Sequence, residues 1–214
     1  TIQAKGTAVL FKLSKAETIL SDWQPRKVSV SHLNLPADLN YETTPRLSPH
    51  VYLKAETRNN SSGLFLAGPV QVFLDGTYVG TSSIDLVGAD EKFDLFLGID
   101  ERIKVKRRRL KEKADVSVLS GFHGRMKTTD YEYLTTAESF LPREARLTLI
   151  DQLPVSQHDE IKVEEVIFNP KPTEEDQEKP GVYRWKLILA PSEKREVRIS
   201  YLVRHPVDFE IEDL

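Results

Sequence analysis

Apolar residues in this chain recur at every second position far more often than at helical spacing. Over residues 182–189, Tyr183, Trp185, Leu187 and Leu189 share one face, while Arg184 and Lys186 take the other. Over 196–203, Val197, Ile199, Tyr201 and Val203 repeat the pattern, with Arg198 and then Arg204 opposite. Alternation of this kind marks half-buried strands. The intervening Ala190-Pro-Ser-Glu-Lys194 predicts a short turn that closes the two into an antiparallel hairpin. The same period predicts strands over 8–13, 27–33, 51–58, 70–74, 78–84, 93–97, 103–113, 131–135, 145–150 and 160–168. The best helical candidate, 99–113, is dominated by basic residues and has no apolar face at i, i+3, i+4.

The clearest turn lies in Leu66-Ala-Gly-Pro-Val-Gln-Val-Phe-Leu-Asp-Gly-Thr-Tyr-Val-Gly80. Val70, Val72 and Leu74 alternate, Asp75-Gly76 supplies two positive-φ positions for a tight hairpin, and Thr77, Tyr78 and Val79 begin the return strand. Gly80 allows a bulge or an exit. Three stretches read as connectors: 34–49 with Pro36, Pro45 and Pro49, 117–127 around Ser120-Gly-Phe-His-Gly124, and 169–181 with Glu174, Glu175, Asp176 and Glu178.

These elements predict an all-β, mostly antiparallel protein of two β-sandwich-like (immunoglobulin-like) halves, 1–103 and 104–214, joined by a long strand. The join is read from parity. Ile103, Val105, Arg107 and Arg109 share one face, but the next apolar residue, Leu110, has the other. Such a strand must twist, bulge or pass from one core to another.

A length of 214 residues suffices for one large or two modest domains. A net charge of -3 gives no global call for nucleic acid, and no apolar run is long enough for a transmembrane helix. The absence of cysteine removes disulfides, thiolate nucleophiles and zinc-thiolate sites. It leaves the compartment open, with the cell envelope, periplasmic or secreted, favoured over the cytoplasm. The chain starts at Thr1 and its single methionine is Met126, which suggests a processed protein or, preferably, an excised portion of a longer one.

Candidate chemistry is sparse. His32, His50, His123, His158 and His205 stand at no metal-ligand spacing and read as exposed or capping residues, so neither a metal nor a cofactor is expected. No nucleophile elbow or phosphate loop is present, and no catalytic residue is assigned. Asp151 is the most interesting carboxylate because it ends an apolar strand before Gln152-Leu153-Pro154; a turn-capping role explains it more simply. The strongest charge feature is the run Lys104, Lys106, Arg107, Arg108, Arg109, Lys111 and Lys113. It reads either as an anion- or partner-binding strip, for acidic polysaccharide or an anionic surface, or as an edge strand protected from aggregation by charge. Without interleaved aromatics it does not suit single-stranded nucleic acid. Asp208, Glu210 and Glu212 alternate in the tail and could face this strip.

Several blocks together resemble the family of conserved proteins named after mucoidy inhibitor A. They are Ala16-Glu-Thr-Ile-Leu-Ser-Asp-Trp-Gln-Pro-Arg-Lys-Val-Ser-Val30, then Tyr52-Leu-Lys-Ala-Glu-Thr-Arg-Asn59 leading into Leu66-Ala-Gly-Pro-Val-Gln-Val-Phe-Leu-Asp-Gly76. Phe93-Asp-Leu-Phe-Leu-Gly-Ile-Asp100 with Ile103-Lys-Val-Lys106, Asp151-Gln-Leu-Pro-Val-Ser156 and Leu189-Ala-Pro-Ser-Glu193 complete the order. The resemblance implies an N-terminal β region, a coiled coil and then this C-terminal part. It carries no activity, ligand or catalytic residue. Trp23 stands where many relatives have glycine, so the turn at Asp22-Trp23 is expected to differ.

The functional expectation is a non-enzymatic interaction or scaffold module of a larger protein. Its partner would be another protein or a second copy, reached in part through the coiled coil that the resemblance implies. The alternative is a cell-envelope carbohydrate-binding module or hydrolase with acidic residues at its loop ends.

Overall fold

A computed structural model describes residues 2–5, 8–11, 13, 16–118 and 125–209. The described residues contain strands and no helix, and nearly all strand pairs are antiparallel, as the period-two pattern predicts. Among the described residues no helix is long and apolar enough to cross a membrane. The chain forms two units, Thr1–Leu39 with Lys54–Gly98 and Asn40–Leu53 with Ile99–Leu214.

The first unit holds β1 (Ile2–Lys5) paired with β2 (Ala8–Phe11) and the start of β3 (Ala37–Thr43). It also holds most of β4 (Tyr52–Arg58), the hairpin of β5 (Gly68–Leu74) and β6 (Thr77–Ile84), and β7 (Lys92–Ile99). β4 lies between β3 and β7 in its sheet. The β5–β6 turn has Asp75 at φ 49° and Gly76 at φ 78°, the paired left-handed positions of a primed two-residue turn. A register shift after Val72 sets Gly80 opposite it, so the bulge allowed by Gly80 is present.

A buried polar residue organises this unit. Asn59 is fully buried, and its Nδ2 donates to the carbonyls of Gly63 at 2.7 Å and Gly88 at 2.9 Å. Its Oδ1 accepts from the Ser61 amide at 3.1 Å and the Ser61 hydroxyl at 2.6 Å. One side chain thus ties the 59–63 turn to the loop before β7, which explains how it can be buried. Beside it, Phe65 meets Phe93 edge to face at 5.8 Å.

The second unit is a two-sheet sandwich. One sheet runs β11 (Lys162–Asn169), β14 (Lys194–Pro206), β9 (Arg125–Ser139), β8 (Ile103–Val118). Facing it are β12 (Glu174–Glu175), β13 (Val182–Leu189), β10 (Ala145–Gln152) and β3. The β3–β10 pair is parallel, with Tyr41 opposite Leu147. Two apolar clusters fill the space between the sheets. The first gathers Tyr41, Val51, Ile103, Val105, Leu147 and Leu189; the second gathers Leu149, Trp185, Val197, Ile199, Tyr201 and Val203. Trp185 donates its Nε1 hydrogen to the Pro170 carbonyl at 2.9 Å, so burial leaves its one polar atom satisfied.

Some expectations need correction. The strands 182–189 and 196–203 do not form a hairpin: β13 and β14 lie in opposite sheets, and the turn between them arches across the core. Each strand's apolar face is still turned inward, so the alternation is right and the pairing inferred from a short turn is not. The stretch 27–33 has no ladder, and the connector 34–49 contains β3, whose Pro36 precedes the strand instead of interrupting it. The connector 169–181 carries the short β12. In that connector Gly181, at φ 80°, lies so near Leu153 and Val155 that a Cβ would sit 2.6 Å from Val155 Cγ2. Trp23 holds the left-handed conformation that glycine would adopt freely, at φ 57°, with its side chain wholly exposed. The loop around Ser120 and His123 lies outside the described residues.

Two outcomes follow from the first unit. Nothing crowds a Cβ at Gly76, so Gly76→Val acts through φ alone and should cost roughly 1 kcal/mol or more. A melting temperature equal to that of the parent chain would remove the primed turn. Asn59→Asp replaces two donors facing carbonyls by an acceptor, and should cost at least about 2 kcal/mol in urea unfolding. An unchanged midpoint would contradict the described network.

Candidate functional site

The basic run falls on β8, a strand of 16 residues at the edge of its sheet. Cross-strand register decides where each cation goes. Lys104 lies opposite Glu138, Lys106 opposite Thr136 and Arg108 opposite Leu134. Arg109 then pairs with Tyr133 and Lys111 with Glu132, so Leu110 is the extra residue of a bulge. This resolves the parity conflict seen in the sequence. Without the bulge Lys111 and Lys113 would share the core-facing parity of Ile103 and Val105. With it, Lys104, Lys106, Arg108, Lys111 and Lys113 line the outer face together, and the whole of β8 lies within the second unit.

Arg107 does not belong to that row. It turns inward, and its Nε donates to Asp151 Oδ2 at 2.9 Å; Asp151 is 1% exposed. The guanidinium also lies 3.8 Å from the centroid of the Tyr133 ring, in cation–π range. Asp151 Oδ1 accepts from the Gln152 amide at 2.8 Å. The capping role expected of Asp151 is therefore only part of its task, since it also binds one sheet to the other. Tyr131, Tyr133 and Tyr201 stack beside this pair, with centroids 5.4 to 6.4 Å apart. Burial pushes the Tyr201 hydroxyl well above the ordinary tyrosine range, and neighbouring Tyr133 adds to the shift. The arrangement is a satisfied polar core with every group engaged.

The outer row is unevenly compensated. Lys111 pairs with Asp130, Lys113 with Asp115 at 3.2 Å, and Arg109, on the inner face, with Glu112 at 2.7 Å. Lys104 lies 5.2 Å from the Phe140 centroid. Among the described residues Lys106 and Arg108 have no acidic partner, because the residues opposite them in the sheet are neutral. A groove of about 600 Å³ opens along this part of the strand, lined among others by His50, Glu101, Lys104, Lys106, Arg108 and Lys194. At its rim Arg102 holds the Asp100 carboxyl below the usual carboxylate range by donating to it, and the Tyr41 hydroxyl donates to the same group at 3.2 Å.

The seven-residue strip thus separates into parts. Arg107 is structural, Arg109, Lys111 and Lys113 are paired, and Lys104, Lys106 and Arg108 face the groove. Sequence reasoning missed His50, Glu101 and Lys194, which come from separate segments and carry no local signal. The histidines need one correction. His205 is buried, with Nδ1 2.8 Å from the Pro206 carbonyl, whereas the others within the described residues are exposed. Among the described residues no three His, Asp or Glu side chains gather to hold a metal ion. His123 and the tail residues Glu210 and Glu212 lie outside the described residues.

The fold and this edge define an all-β protein with a strongly basic strand at the edge of one sheet. The chain belongs to the family described as a domain of unknown function, DUF4139, which it matches over residues 3–207. It is similar to Protein F37C4.5 of Caenorhabditis elegans, 23% identical over 216 residues, covering 96% of this chain and 38% of the worm protein. The chain therefore spans well under half the length of that relative. No solved structure matches it.

The division of the strip is measurable. Asp151→Ala leaves the Arg107 charge inside the sandwich and should cost about 3 kcal/mol, the lower end for a broken buried pair because Arg107 keeps 17% of its side chain exposed. Arg107→Met combined with Asp151→Leu should recover much of that loss. Lys106→Gln with Arg108→Gln should stay within about 0.5 kcal/mol of the parent chain. Equal urea midpoints for Asp151→Ala and the surface double variant would contradict this partition.

Proposed function

We propose that this chain is a non-enzymatic interaction module that engages partners through the edge strand β8. The observation that carries the reading is the alignment of Lys104, Lys106 and Arg108 beside a groove, on a strand whose outer edge has no ladder partner among the described residues. Unpaired strand edges are ready templates for association. A longer relative, 38% of which this chain covers, supports the reading of this region as one module of a larger protein.

The test uses a generic polyanion. The 214-residue chain should be retained on immobilised heparin, and on vesicles containing phosphatidylserine, at low salt and released as salt rises. Each cation near an anionic surface contributes about 1 kcal/mol, so Lys106→Glu with Arg108→Glu should weaken vesicle binding about tenfold or more. Circular dichroism and melting should be those of the parent chain. Absence of retention at low salt, or retention indifferent to the double variant, would overturn the reading.

A further inference from the structure

Resting on that reading, we infer that the β8 edge accepts an extended acidic polypeptide segment as an added strand, with acidic residues at every second position. The stretch 103–109 of β8 presents two things together. One is a backbone edge outside the ladder, which a strand can complete through main-chain hydrogen bonds and a saccharide or lipid headgroup cannot. The other is cations at alternate positions on one face, Lys104, Lys106 and Arg108, repeating at the period of a strand. A strand laid antiparallel beside β8 places its own alternate side chains opposite these, where opposite charges attract and like charges repel.

That last point decides between occupants. In a second copy paired edge to edge, β8 would set a row of cations against another row of cations. The charge pattern therefore opposes self-pairing, as edge protection requires, while leaving the edge open to an acidic strand. Compensation from within the sheet is weakest at the same place. Thr136 and Leu134 are the neutral neighbours of Lys106 and Arg108, whereas Lys111 and Lys113 further along already have Asp130 and Asp115. The groove along this segment carries His50 and Lys194 on its lining, with the carboxylates Asp100, Glu101 and Glu138 also present.

Two peptides of identical composition separate this inference from general polyanion binding. One alternates glutamate with valine and threonine over seven residues; the other places its four glutamates consecutively. With the 214-residue chain at low salt, the alternating peptide should bind about tenfold more tightly than its isomer. It should also slow amide hydrogen exchange within 103–109, an effect that side-chain attraction alone would not produce. Lys106→Glu with Arg108→Glu should abolish both. Equal binding of the two isomers, no added protection on β8, or protection that survives the double variant would each overturn the inference. If heparin retention still depends on Lys106 and Arg108 in that case, the interaction-module reading stands and the ligand is a polyanion without strand character. If neither peptides nor heparin bind at low salt, both fall.

Discussion

The sandwich depends on how β8 alternates its side chains. Its first residues must turn Ile103 and Val105 into the core between the sheets, and the pleat then commits every second residue to the same side. Charged residues inherit that commitment. Arg107 is carried inward by parity alone, and the fold can keep it there because Asp151 on the facing sheet meets it at 2.9 Å. Left to run, the same parity would send Lys111 and Lys113 inward beside stacked tyrosines with no such partner. One inserted residue, Leu110, returns them to solvent. The bulge is therefore the device by which a strongly basic strand can border an apolar core.

The ion pair and the tyrosine stack occupy one layer of the sandwich, and they explain why charge on β8 has two distinct physical characters. Inside, the charge of Arg107 is neutralised, hydrogen-bonded and placed against an aromatic face, so nothing remains to attract a ligand. Outside, the cations keep their water, and the sheet compensates only some of them. The two cations left without an acidic partner, Lys106 and Arg108, lie with Lys104 along the groove and the sheet edge, which is why partner recognition is assigned to these three and not to the run as a whole.

Each unit also shows how hydrogen bonds offset the cost of burying a polar residue. Asn59 occupies all four of its hydrogen-bonding sites within one turn and the loop beside it, and Asp151 divides its oxygens between a guanidinium and a backbone amide. Asp151 stands out in the sequence as the carboxylate ending an apolar strand, but Asn59 is not announced by its neighbourhood. Asn59 lies in Asn59-Asn-Ser-Ser-Gly63, which reads as an ordinary solvated turn, and only the approach of the Gly88 carbonyl makes it a core residue.

What the sequence determined by itself is what depends on neighbours along the chain. Alternation in 182–189 and 196–203 named the inward faces correctly, Asp75-Gly76 named its turn, and the conflict of parity near Leu110 left a twist, a bulge or a passage from one core to another, of which packing chose the bulge. Those features follow from the pleat and from φ, which are local. Tertiary structure decided everything that depends on which strand lies beside which. It put β13 and β14 in opposite sheets although a short turn joins them, because both apolar faces needed the same core. It made a strand of 37–43 by giving it β10 as a parallel partner, a pairing that leaves no periodic trace in either segment. It also divided the basic run, since the difference between Arg107 and Arg108 is not one of composition. It rests on Asp151, a residue 44 positions away in sequence that packing brings within hydrogen-bond reach.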